Sequence, residues 1–245
     1  MSYDPYRPQA TVAAHGTDVD AGLQGFLRGV YNMMGIGLAI TGLVSFGFAQ
    51  MMFANEELLK LVYGTPLKWV LAFAPLAFLL FGFTPGRMHR LPAGQLQTLF
   101  FVYAGLMGLS MASIFLAYTA ESIARVFFIT AGMFAATSLY GYTTKRDLSR
   151  MGSFMIMGVI GLLIASVVNI FLKSSMLYFV TSAIGVIVFT GLTAWDTQRL
   201  KETYAYGSSM AGANAKLAVE GALNLYLNFV MLFQYMLSFM GNARE

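Results

Sequence analysis

Apolar residues fall into seven long runs separated by short polar stretches, at about Gly29–Met52, Leu67–Thr84, Leu96–Ala120, Ser122–Thr144, Ser153–Leu172, Met176–Asp196 and Gly221–Met240. A bilayer core about 30 Å thick takes roughly 20 residues of helix at about 1.5 Å per residue, so each run predicts one membrane-spanning helix. The second run is short and contains Pro75, which predicts a kink. The third and fourth meet at a turn marked by Glu121 and Arg125. Fused into one helix they would overshoot a single bilayer, so two helices are expected. Ahead of the first run, Leu23, Phe26, Leu27, Val30 and Tyr31 recur at helical spacing. They either form a short amphipathic helix on the membrane surface or simply begin the first span.

The expected fold class is therefore an all-α membrane protein of seven transmembrane helices. Residues 21–245 form one membrane domain, and residues 1–20, rich in Pro, Asp, Thr and Ala, form a disordered cytoplasmic tail without the apolar centre of a secretory leader. Lys and Arg set the orientation. With the N-terminus inside, Arg7, Arg28, Arg87, Arg90, Lys145, Arg146, Arg150, Arg199, Lys201 and Lys216 face the cytoplasm. Lys60, Lys68, Arg125, Lys173 and Arg244 face out. Ten against five favours a cytoplasmic N-terminus and, with seven spans, an outside C-terminus. Small residues such as Gly105, Gly108, Gly158 and Gly161 within the runs point to close helix packing.

Composition sharpens the picture by exclusion. Of 245 residues 58% are hydrophobic and 11% charged, too little polar surface for a soluble domain. The chain has no cysteine, and its histidines, His15 and His89, lie outside the runs. Disulfides, thiol catalysis, Cys/His zinc sites and bis-histidine haem are thereby excluded, and no cofactor is expected. The net charge of +4 is modest and spread beside the apolar runs, a pattern of topology signals and lipid headgroup contacts rather than of nucleic-acid binding. No nucleophile–base pair, acid pair or Ser–Lys dyad falls within the runs, so an enzyme is not expected. A retinal protein needs a lysine within the last span, and Gly221–Met240 has none.

One ionisable group remains. In "FTGLTAWDTQRLKETY", Asp196 ends a stretch uncharged since Lys173, and no helix breaker follows it. A carboxylate costs several kcal/mol at membrane depth and calls for a partner. Asn224 and Asn228 in "GALNLYLNFVMLF" lie four residues apart on one face of the last span. At about 1.5 Å per residue, Asn228 lies about 10 Å along that span, where it can meet Asp196. The alternative places Asp196 among the headgroups as an ordinary helix-end residue.

Five segments in order, "GLQGFLRGVYNMMGIGLAITG", "YGYTTKRDLSRMG", "VNIFL", "WDTQRL" and "GALNLYLNFVMLF", resemble the bacterial branch of the transmembrane Bax inhibitor motif family over about Gly22–Asn242. The resemblance implies six helices around a central seventh, in the bacterial inner membrane. It implies a calcium or cation leak closed on the cytoplasmic side by two aspartates, one from helix six and one from helix seven, that titrate together. By position the first is Asp196. The second falls on Asn228, which departs from that pattern. An Asp–Asn pair has one titrating site, and its amide resembles a partner fixed in the protonated form, so weakened pH sensing is expected. Calcium favours six to eight oxygen ligands, so only weak, transient contact at Asp196 is expected. The resemblance further implies a basic group near the inner end of helix two, a role for Arg87 or Arg90, and places Asp147 at a matching position in a solvated inner loop. Some bacterial relatives resemble modulators of an ATP-dependent membrane protease, which makes a non-conducting regulatory role the alternative.

Overall fold

The computed structural model describes residues 8–207 and 213–242, with side chains from Gly22 to Tyr204 and from Asn214 to Asn242. The expected tail lies outside this part for residues 1–7 and for all of its side chains. Ten helices make up the described chain. Six are long and apolar enough to cross a membrane, or belong to such a stretch: α1 (Pro8–Ala54), α5 with α6 (Ala93–Met111, Ser113–Ala117), α7 (Ala120–Thr143), α8 (Ser149–Leu172), α9 (Ser175–Gly207) and α10 (Ala213–Met240). The pair α2 (Glu56–Gly64) and α3 (Leu67–Gly82), bent by 69°, makes a seventh crossing when it is counted as one broken span. A short helix, α4 (Pro85–Arg90), links α3 to α5.

The bend is not at Pro75, as the sequence suggested. α3 runs through Pro75 as one helix, and the chain turns at Thr65–Pro66 instead. The ring of Pro66 bars the preceding residue from helical geometry, and Thr65 is extended at φ −115° and ψ 170°. The turn between the third and fourth spans falls where expected. Thr119 caps α7 by accepting the Ser122 N–H, and Glu121 and Arg125 make an exposed ion pair at 3.2 Å. Leu23, Leu27 and Val30 are buried in the bundle and Phe26 stacks on Tyr204, so this segment is a continuous part of α1 and begins the first span rather than forming a separate surface helix.

α10 is the central helix. Of its most apolar stretch 56% is buried, against 6% for α8, which presents Phe154, Met157, Leu163 and Phe171 to the lipid. α1, α5, α7 and α9 pack directly on α10, while α3 rests on α5 and α8 on α9. Mid-bundle, Thr41 of α1 ties three helices: its hydroxyl lies 2.7 Å from the Tyr226 hydroxyl of α10 and 2.9 Å from the Ala104 carbonyl of α5. Burying these groups without partners would cost about 1–3 kcal/mol each.

The part of α9 around Asp196 is gripped by glycines. Gly141 of α7 lies against the Ala194 backbone, and Gly152 of α8 lies against the Trp195 ring. A side chain at Gly141 would run into the Ala194 carbonyl, which only a backbone shift relieves. Gly141→Ala is expected to destabilise the protein by about 1–3 kcal/mol. Gly161→Ala, where no atom lies within 4 Å, should be neutral or stabilising by up to about 1 kcal/mol. Thermal unfolding of the two variants in detergent checks the contrast.

Candidate functional site

Asp196 and Asn228 meet. α9 continues beyond the aspartate without a break, so Asp196 lies within the packed part of the helix rather than at its end. α10 sets Asn228 opposite, buried at 5% exposure. The Asn228 amide Nδ2 donates to Asp196 Oδ2 at 2.6 Å, a short bond of the kind a charged acceptor makes.

Above this bond the two helices open into a small cavity of about 140 Å³. α9 contributes Asp196, Arg199 and Thr203 to its wall, and α10 contributes Glu220 and Asn224. The Arg199 guanidinium is held 5.5 Å from the Trp195 ring centroid, a cation–π contact that fixes a positive charge beside Asp196. Glu220 was not singled out in the sequence because the last span was begun at Gly221. α10 starts at Ala213, which puts Glu220 two turns inside the helix. The signal was present: Glu220, Asn224 and Asn228 repeat every four residues and form one polar stripe facing α9.

The rest of α9 around Asp196 is pinned. Thr197 bonds Ser138 of α7 at 3.0 Å, and Ser138 bonds the Tyr31 hydroxyl of α1. Gln198 accepts the Leu148 N–H and donates to the Arg146 carbonyl, both at 2.8 Å, clamping the link between α7 and α8. Lys201 donates to the Tyr142 carbonyl at 3.1 Å. At this end of α10, Lys216 donates to the His89 carbonyl at 2.8 Å.

Two other expected residues stand apart. Arg87 is exposed on α4 and lines a separate cavity of about 460 Å³ with Gln95 and Leu99. Among the described residues no ion pair joins Arg87 or Arg90 to Asp196. Asp147 is exposed and accepts the Ser149 N–H at 2.8 Å at the start of α8. Hydrogen bonds from the Ser149 hydroxyl and backbone, with the Arg150 charge beside them, hold its carboxyl below the usual carboxylate range. That contact is a helix start rather than part of the cavity. Among the described residues no three acids or histidines gather as a metal cage would require.

The family model described as Inhibitor of apoptosis-promoting Bax1 matches residues 23–245. The chain belongs to the Bax inhibitor family. Relatives within and around this family are similar along nearly their whole length. An uncharacterized protein of Caulobacter vibrioides is 47% identical, with 93% of this chain and 92% of that one aligned. The protein RP147 of Rickettsia prowazekii is 44% identical over 98% and 99% of the two chains. Inner membrane protein YbhL of Escherichia coli K12 is 42% identical over 91% and 94%. As a Bax inhibitor family member with a buried core helix and a lipid-exposed shell, the chain is an integral membrane protein.

The Asp196–Asn228 contact is expected to couple the two helices. In a double-mutant cycle with Asp196→Ala and Asn228→Ala, unfolding in detergent should show non-additivity of about 1.5–3 kcal/mol, the worth of a hydrogen bond to a charged group. Additive effects would mean that the bond holds nothing.

Proposed function

We propose that this protein is a slow cation leak of the bacterial inner membrane, calcium among its ions, closed where Asp196 meets Asn228. The bond of 2.6 Å at the base of the α9–α10 cavity carries this reading. Two carboxylates, Asp196 and Glu220, against the single cation Arg199 leave the cavity lining with a net negative charge that attracts cations. Two carboxylates are too few for tight calcium binding, and weak sites favour passage over retention. The excess of Lys and Arg at this end supports a cytoplasmic side for it. Because α9 is pinned to α7 and to the α7–α8 link, opening is a movement of the first turns of α10 away from α9.

The amide of Asn228 cannot titrate, so the closed contact depends on one carboxylate, with Arg199 and Glu220 as the charged groups that share the cavity. Asn228→Asp adds a second carboxylate against the first, and two such groups release protons in coupled steps.

Calcium flux into dye-loaded liposomes at about pH 6 and about pH 8 tests this reading. Asp196→Asn replaces a charge-assisted bond with a neutral one, weaker by about 1 kcal/mol, and should raise the leak roughly fivefold. Asn228→Asp should make the leak respond more steeply to pH than in the wild type. Absence of flux from wild type and both variants, with a membrane protease co-purifying until residues 1–20 are deleted, would replace the leak with a regulatory role.

A further inference from the structure

α1 and α7 flank a gap beside α9 and α10. Each packs on α9 and α10 rather than along the other, and a cavity of about 510 Å³ separates them. That volume falls within the range of small-molecule sites, about 300–1,000 Å³. Its walls are apolar, formed by Leu27 of α1 and by Phe134, Ala135 and Leu139 of α7. The hydrogen bond between Tyr31 and Ser138 crosses it.

The rim of the cavity is cationic. Arg28 lines it, is exposed, and makes no ion pair among the described residues. Lys201 reaches the same rim through Tyr142, donating to its carbonyl at 3.1 Å with the ammonium 5.3 Å from the ring centroid. An ammonium has three donors, so Lys201 keeps others free. Arg28 stands near the start of the first span, which begins at Gly22, and Tyr142 lies one residue before the end of α7. The rim is thus level with the membrane surface, and the apolar walls run from it toward the hydrocarbon.

A positive rim over an apolar slot, open to the bilayer between two helices, has the chemistry of an anionic amphiphile. We infer that one anionic phospholipid of the surrounding bilayer seats between α1 and α7, its phosphate held by Arg28 and Lys201 and an acyl chain lying on Leu27, Phe134 and Leu139. Arginine suits a phosphate because its planar fork donates two parallel bonds. Two cations with no acidic partner among the described residues favour an anionic headgroup over a zwitterionic one, which carries its own positive charge. The lipid would rest against Ser138, whose hydroxyl also bonds Thr197, the residue after Asp196.

Native mass spectrometry of the full chain in detergent, with phosphatidylglycerol or phosphatidylcholine added, tests the site. The wild type should retain phosphatidylglycerol preferentially. Arg28→Gln should weaken that retention roughly tenfold, as expected for a lost charged hydrogen bond. Ala135→Trp keeps both charges but fills the slot, and should weaken it as strongly. Arg28 and Ala135 are both exposed, so neither change removes a packed side chain. Arg90→Gln, on α4, should leave retention unchanged. Equal retention of the two lipids overturns the site. So does full retention in Ala135→Trp, which would reduce the effect to general attraction by basic residues, and so does displacement of the lipid by inorganic phosphate alone.

Discussion

A carboxylate carried into an apolar helix bundle must find a donor or stay protonated, and the fold of this protein at one end follows from how Asp196 is satisfied. Its partner is a single amide, Asn228, on the most buried helix of the bundle. The bond therefore does more than stabilise: it fixes the axial register of α9 against α10. A slip of one residue along α10 would rotate Asn228 by about 100° and leave the carboxylate facing leucine or phenylalanine, and a slip along α9 would turn Asp196 away by the same angle. Among the described residues no other polar pair between these two helices lies at this depth with a charge at stake.

The surroundings divide into a rigid and a loose side. On one side α9 is held by glycines that let α7 and α8 approach its backbone, and by Thr197, Gln198 and Lys201, which bond to α7 and the α7–α8 link. On the other side stands the start of α10, a polar stripe of Glu220, Asn224 and Asn228 lining a cavity and anchored outward through Lys216. Under the proposed leak α9 stays pinned while the start of α10 moves, and opening is a discrete step because close-packed interiors do not deform gradually. The Tyr31–Ser138–Thr197 chain extends the rigid side to α1 and to the lateral lipid cavity.

The six to seven candidate crossings were legible in the sequence because long apolar runs admit few alternatives. Asp196 was legible because it is the one acid ending such a run, and Asn228 because it recurs with Asn224 on a helical face. What escaped had physical reasons. Pro75 is tolerated inside a membrane helix while the bend sits at Pro66, since the residue before a proline, Thr65, is the one driven out of helical geometry. Glu220 escaped because hydropathy marks where a span enters hydrocarbon, and helices such as α10 begin well before that. Arg87 was placed near the acids by resemblance alone; the short helix α4 turns it to a different cavity.

The absence of cysteine from the chain makes the proposed gate directly accessible. Thr203 of α9 and Leu217 of α10 face each other across the same cavity, so Thr203→Cys with Leu217→Cys allows a reducible bifunctional thiol reagent to tie the helices together. The decisive measurement is calcium flux through the tied protein in liposomes before and after reduction. A gate formed by α9 and α10 predicts flux at background while tied and its return on reduction. Flux that is the same tied and free would contradict it.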